Sequence, residues 1–130
     1  MEVKPLRAEP MNDDLRVIVV DDVADSADTL ARLIELNGYR VRTASDGAAA
    51  LAILSSWPAP CMILDIDMPG MDGLELAQRL RAEHGDNVVM IAMTGWAETD
   101  PRVAKTFEIV DHYLHKPVDP RVLNQLLPPV

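Results

Sequence analysis

Five side chains in this sequence could act together on one anion: Asp21, Asp22, Asp65, Thr94 and Lys116. Each stands where a strand-like run gives way to a turn. Leu15–Val20 runs into Asp21-Asp22, Cys61–Leu64 into Asp65, Val88–Met93 into Thr94-Gly95, and His112–His115 into Lys116-Pro117. Three carboxylates gathered in one place repel, and one of them is driven toward its protonated form unless a cation intervenes. A hard divalent ion removes that conflict. Mg²⁺ takes oxygen ligands, keeps several waters and works beside phosphate, which suits an open acidic cluster. A carboxylate next to such an ion can attack phosphorus and become an acyl phosphate, with the metal and an ammonium stabilising the transferring group. Lys116 would supply the ammonium and Thr94 a hydroxyl. The plainer reading is a salt-bridged sheet edge in which Lys116 pairs with the acids, and it leaves the third carboxylate and the threonine without a purpose.

The pattern of the chain decides whether the five can meet. Cys61–Asp65 is apolar without alternation and ends at breakers (Pro69-Gly70, Asp72-Gly73), which suits a central parallel strand covered on both faces. Between such strands lie helical repeats. Ala27, Leu30, Ala31 and Ile34 fall at helical spacing, with Asp25 or Ser26 expected as N-cap and Gly38 just past the end. Tyr39–Ala44 reads as a strand, Ala48–Leu54 as a helix closed by Trp57-Pro58, and Leu74, Ala77 and Leu80 mark a third helix before the Gly85-Asp86 turn. Asp100-Pro101 and Asp119-Pro120 are cap-plus-proline starts for helices running toward Glu108 and through Leu127. A β-α unit repeated five times, with right-handed crossovers, predicts an α/β fold: a doubly wound (βα)5 sandwich on a five-stranded parallel sheet. The flavodoxin-like strand order 2-1-3-4-5 is the expected arrangement. In that order all five side chains lie at strand carboxyl ends, where open α/β sheets bind their ligands.

Asp21-Asp22, the run from Asp65 through Met68-Pro69-Gly70-Met71-Asp72-Gly73, Thr94-Gly95 and Lys116-Pro117 together resemble the receiver domain of two-component response regulators. The likeness extends from Leu15 to Leu127. It implies that Asp65 accepts a phosphoryl group from a histidine kinase or histidine phosphotransfer protein. It implies that Asp22 and Asp65 hold Mg²⁺ with the main-chain carbonyl of Asp67, while Asp21 acts through a water. By the same resemblance Lys116 contacts the phosphoryl group, Thr94 hydrogen-bonds it, Tyr113 is the switch aromatic, and the Lys116-Pro117 bond is cis. An output protein would dock on the face made by helix 4, strand 5 and helix 5. Asp67 and Trp96, each two positions beyond a site residue, would overlook the phosphoryl site and set its lifetime by governing how water approaches. One departure stands out: many receivers carry Ala-Gly ahead of strand 5, whereas Glu108 and Ile109 stand here. Without the glycine a left-handed helix cap is costly, which leaves the end of helix 4 open.

Composition bounds the alternatives. The 130 residues make one domain, with residues 1–14 expected as a disordered lead and 15–130 as the folded unit. A net charge of −9 offers no basic footprint, so no direct contact with nucleic acid is expected. No apolar run suits a membrane span and no signal peptide is evident, which makes the cytoplasm the expected location. The single cysteine, Cys61, reads as a small buried hydrophobe. Ile63-Leu64-Asp65-Ile66-Asp67 also resembles the Asp-x-Asp strand of haloacid-dehalogenase-like phosphatases. Against that, the strand comes third, the acidic pair precedes it, and there is little room for a cap. A receiver-like interaction module that is never phosphorylated is the other alternative. The resemblance implies no enzyme beyond self-catalysed phosphotransfer and dephosphorylation. A stand-alone regulator and the receiver of a hybrid histidine kinase both fit; Ser26-Ala27-Asp28, Thr94-Gly95-Trp96 and Lys116-Pro117-Val118-Asp119 are similar to the latter.

Overall fold

The computed structural model describes residues 15–68, 73–96 and 100–128, apart from the side chain of Arg102. The expected lead, Pro69-Gly70, Met71 and Asp72 lie outside the described residues. Five strands and five helices alternate: β1 Arg16–Val20, α1 Ala24–Glu35, β2 Arg40–Ala44, α2 Gly47–Ser56, β3 Cys61–Asp65, α3 Gly73–His84, β4 Val89–Thr94, α4 Pro101–Ile109, β5 His112–His115 and α5 Pro120–Leu126. The sheet is parallel throughout, in the order β2-β1-β3-β4-β5. This is the doubly wound arrangement expected from the sequence.

The unbroken apolar strands are explained by two cores, one on each face. Alternate residues Val17, Val19, Cys61, Ile63, Ile91 and Met93 point to the side closed by α1 and α5. Their neighbours Ile18, Val20, Met62, Leu64, Met90 and Ala92 point to the side closed by α2, α3 and α4. All five residues of β3 are buried, Asp65 included. Burial on both faces is what removes the polar half of the usual strand alternation.

The helix starts follow their caps. Asp46 accepts from the Ala49 amide at 2.7 Å, Asp100 from Val103 at 3.4 Å, and Asp119 from Arg121 at 2.9 Å. Past α1, Gly38 takes φ 99° with its amide on the Glu35 carbonyl, a conformation that suits glycine. The start of α1 differs from expectation. Neither Asp25 nor Ser26 caps it; the helix begins at Ala24 with Val23 as N-cap and no side-chain cap bond. Asp21 Oδ1 instead accepts the Val23 amide at 2.9 Å, so a residue of the acidic pair closes the turn that leads into the helix.

The end of α4 is solved without a left-handed residue, since no described non-glycine residue has positive φ. The helix stops at Ile109, and the Arg81 guanidinium from α3 donates to the Ile109 carbonyl at 2.7 Å. The same guanidinium donates to the Gly85 carbonyl at 2.7 Å and pairs with Asp111 at 3.1 Å. Asp111 in turn accepts the Met90 amide at 2.8 Å. A cation at a helix carboxyl end satisfies the free carbonyl and favours the dipole, as glycine-dependent caps do by backbone geometry.

Candidate functional site

The fold brings the five expected residues to one sheet edge. Asp21 and Asp22 follow β1, Asp65 ends β3, Thr94 ends β4 and Lys116 follows β5. Asp21, Asp65 and Thr94 are buried, at 6%, 3% and 0% exposure, while Asp22 is open to solvent. Asp65 is gripped from two directions. The Lys116 ammonium lies 2.9 Å from its Oδ2, and the Asp67 amide donates to its Oδ1 at 2.9 Å.

Asp21, Asp22 and Asp65 each offer a carboxylate oxygen, and these lie within 4.8 Å of one another. The donor set is all oxygen, anionic and partly open to water, which fits a hard cation such as Mg²⁺. The electrostatics of Asp21 agree. Burial is the main reason its carboxyl lies above the usual range, the Val23 amide opposes this, and the nearby charge of Asp65 adds to the rise. Lys116 also sits above its usual value. Burial pulls it down, but the hydrogen bond and charge of Asp65, together with Asp67, outweigh that and keep the ammonium protonated.

Asp67 is expected beside the phosphoryl site, but the partners of its side chain are not read from the sequence. Its carboxylate accepts from the Thr94 hydroxyl at 2.8 Å and from the Gly95 amide at 2.8 Å, and lies 3.4 Å from the Lys116 ammonium. Thr94 Oγ1 also accepts the Trp96 amide at 3.0 Å, while Trp96 itself is 60% exposed beside the site. An Asp two positions beyond Asp65 was visible, but nothing local says which donors reach it. The Lys116–Pro117 peptide bond is cis, and the Lys116 amide donates to the Thr94 carbonyl at 2.8 Å, which ties the lysine's backbone to β4.

Tyr113 stands apart from these contacts, on the outer side of β5 and 42% exposed. Its ring stacks on Phe107 of α4 at 3.8 Å between centroids, and His115 meets it edge-on at 5.8 Å. Beside Asp65 and Lys116, a cleft of about 510 Å³ opens between α1 and the segment after β5, with Ser26, Leu30, Leu33, Met93 and Val118 in its walls.

With this geometry in hand, comparison with known proteins agrees. The chain belongs to the response regulator receiver domain family, whose model matches residues 17–128. It is similar to the response regulator MprA of Mycobacterium avium (strain 104), with 37% identity over 103 residues that make up 79% of this chain and 45% of that protein. The match to MprA of Mycobacterium tuberculosis (strain ATCC 25177 / H37Ra) is also 37% over 103 residues, 79% of this chain and 44% of the relative. The chain therefore spans less than half the length of these curated relatives. A response regulator receiver protein from Pseudomonas putida aligns with TM-score 0.80 at 26% identity, covering 87% of this chain and 94% of its own. The chemotaxis protein CheY4 of Vibrio cholerae aligns with TM-score 0.78 at 26% identity, covering 88% and 96%. The chain is thus a receiver domain of the two-component type, and among the described residues no helix is long and apolar enough to cross a membrane.

Proposed function

We propose that this domain accepts a phosphoryl group on Asp65 from a phosphohistidine of a histidine kinase or phosphotransfer protein. The observation that carries the reading is the buried Asp65 carboxylate, held by Lys116 at 2.9 Å, with oxygens of Asp21 and Asp22 beside it. In the transfer, an Asp65 oxygen bonds to phosphorus while the P–N bond breaks, its electron pair staying on the imidazole nitrogen. Lys116 meets the negative charge of the transferring group. Asp22 and Asp65, with the Asp67 main-chain carbonyl, would hold Mg²⁺ and Asp21 would act through a water; the ion would supply neutralisation of the charge that gathers in the transfer. The cleft between α1 and the segment after β5 gives a donor's histidine access from that side.

The phosphoryl group adds about −2 charge and three acceptor oxygens, and Thr94 and Lys116 are its donors here. Moving a two-state equilibrium from 1:99 to 99:1 takes about 5.5 kcal/mol, and charge-assisted hydrogen bonds contribute about 1.5–3 kcal/mol each, so two carry most of the switch. Its output would be the α4–β5–α5 face, where the Phe107–Tyr113 stack must open for the tyrosine to turn inward. If Thr94→Ala kept phosphorylation and left partner binding fully phosphate-dependent, that coupling would be wrong. Trp96, exposed beside Thr94, would screen the phosphoryl group from water. An unchanged rate of phosphate loss in Trp96→Ala would remove this role.

Mg²⁺-dependent labelling by acetyl phosphate tests the central reading. We expect about one phosphate per chain on wild type, none on Asp65→Asn, and no labelling of wild type when the metal is chelated beforehand. Label that persists in Asp65→Asn would refute the assignment. Continuous turnover of a phosphomonoester would favour a phosphatase instead. The cytoplasm is the compartment this chemistry requires, since the donor kinase is phosphorylated there from ATP. Stand-alone regulator and hybrid-kinase receiver share the same site chemistry.

A further inference from the structure

Thr94 and Lys116, assigned above to a phosphoryl group, already hold an anion that belongs to the chain, together with the Gly95 amide. The Thr94 hydroxyl and the Gly95 amide, from the end of β4, both donate to the Asp67 carboxylate at 2.8 Å. The Lys116 ammonium, from beyond β5, lies between two carboxylates, 2.9 Å from Asp65 and 3.4 Å from Asp67. The Asp67 amide donates to Asp65 Oδ1 at 2.9 Å, which fixes the Asp67 backbone against the acceptor. A hydroxyl, a backbone amide and an ammonium converging from two elements form an oxyanion-binding set, and these donors do not distinguish carboxylate from phosphoryl oxygens. Thr94 is fully buried and turned toward this anion, while Tyr113 remains outside.

We propose that the Asp67 carboxylate is an internal occupant of the phosphoryl-oxygen site, and that it must be displaced from Thr94, Gly95 and Lys116 when Asp65 is phosphorylated. The proposal rests on Asp65 being the acceptor. It changes what residue 67 does: beyond any influence on water, its charge competes with the incoming phosphoryl group for the same donors. Phosphorylation then exchanges one anion for another at Thr94. The side chain that is expelled becomes free to turn to solvent, which it already touches at 18% exposure. A carboxylate that only braces the loop would make the same three contacts, but its removal would loosen the site and weaken anion binding. Competition has the opposite sign.

Beryllofluoride binding with saturating Mg²⁺, followed by 19F NMR on the whole chain, separates these outcomes. Asp67→Asn keeps the shape but gives up the charge, and Asp67→Ala removes the acceptor. Both are expected to bind beryllofluoride about tenfold tighter than wild type or better, in line with the loss of charge-assisted competition. In a Thr94→Ala background the gain from Asp67→Asn should shrink, because one contested donor is gone. Unchanged or weaker binding in both Asp67 variants overturns the proposal, as does an equal gain with and without the Thr94 hydroxyl. Asp65→Asn separates this from the parent reading. If wild type shows no adduct that Asp65→Asn abolishes, the acceptor assignment itself fails. If that adduct forms normally and the Asp67 variants do not tighten it, only the competition fails.

Discussion

Arg81→Ala tests how this chain ends α4 without the family's glycine. The substitution deletes two hydrogen bonds from a charged donor to main-chain carbonyls, Ile109 and Gly85, both at 2.7 Å. Such bonds contribute about 1.5–3 kcal/mol each when buried; the Arg81 side chain is 27% exposed, so the lower end applies. The pair with Asp86 contributes nothing measurable, because that carboxylate is fully exposed, and the half-exposed Asp111 adds under about 1 kcal/mol. The expected loss is about 2–3 kcal/mol, a large share of a stability of roughly 5–15 kcal/mol for a domain of this kind. Urea unfolding followed by far-UV circular dichroism measures it, with a lower midpoint and an unchanged slope. Hydrogen exchange at Val110, whose amide closes the last turn onto Thr106, should accelerate alongside. Arg81→Lys should recover less than half of the loss, since an ammonium lacks the planar fork that serves both the Ile109 carbonyl of α4 and the Gly85 carbonyl past α3. A loss below about 0.5 kcal/mol, or full recovery by lysine, would refute the view that this guanidinium caps α4.

Two further outcomes follow from packing and titration. A Cβ on Gly73 would stand 2.5 Å from the Ile66 Cα, a backbone atom that cannot step aside. Gly73→Ala should therefore destabilise by about 2–3 kcal/mol, even though alanine is favoured over glycine in a helix by about 1 kcal/mol. Wild-type stability in thermal unfolding would contradict the contact. Burial pushes the Cys61 thiol from its ordinary 9.0 up to about 12, with the charge of Asp111 a lesser cause. The folded chain thus keeps a proton that the unfolded chain releases, so this contribution is complete below pH 9.0 and is lost as pH rises toward 12. Between those values wild type should lose stability more steeply than Cys61→Ala, by up to about 1.4 kcal/mol per pH unit. Equal slopes would refute the burial effect. Tyr39 is raised mainly by burial and to a lesser degree by the charge of Cys61, so it acts in the same direction in both proteins and more weakly in Cys61→Ala, which leaves the wild type the steeper of the two.

The exit from α5 adds a contact that no sequence pattern announces. Leu127 is buried, and the Tyr39 hydroxyl donates to the Pro128 carbonyl, which pins the segment after α5 to the turn between α1 and β2. On the opposite core face, Trp57 lies beneath the guanidinium groups of Arg16 and Arg42, at 5.0 and 4.6 Å from its ring centre. The ring sits between β1 and the edge strand β2; Arg42 is exposed, whereas the Arg16 Nε is buried and its Nη1 donates to the Pro58 carbonyl at 3.3 Å. Both contacts join residues far apart in the chain.

The sequence by itself determined the β-α alternation, the strand ends and therefore the edge where Asp21, Asp22, Asp65, Thr94 and Lys116 meet. These follow from local rules: doubly buried strands read as continuous apolar runs, and a carboxylate or lysine just past such a run must lie at a carboxyl end. The caps at Asp100 and Asp119 belong to the same short-range class, whereas the Asp46 cap of α2 and the α1 start without a side-chain cap were not read from the sequence. Tertiary structure alone decided that Arg81 closes α4, that Phe107 stacks on Tyr113, and that the Asp67 carboxylate draws Thr94, Gly95 and Lys116 to itself. Periodicity records which face of an element a residue occupies. Which side chain it then meets depends on strand register and crossover packing, and these exist only once distant elements are assembled.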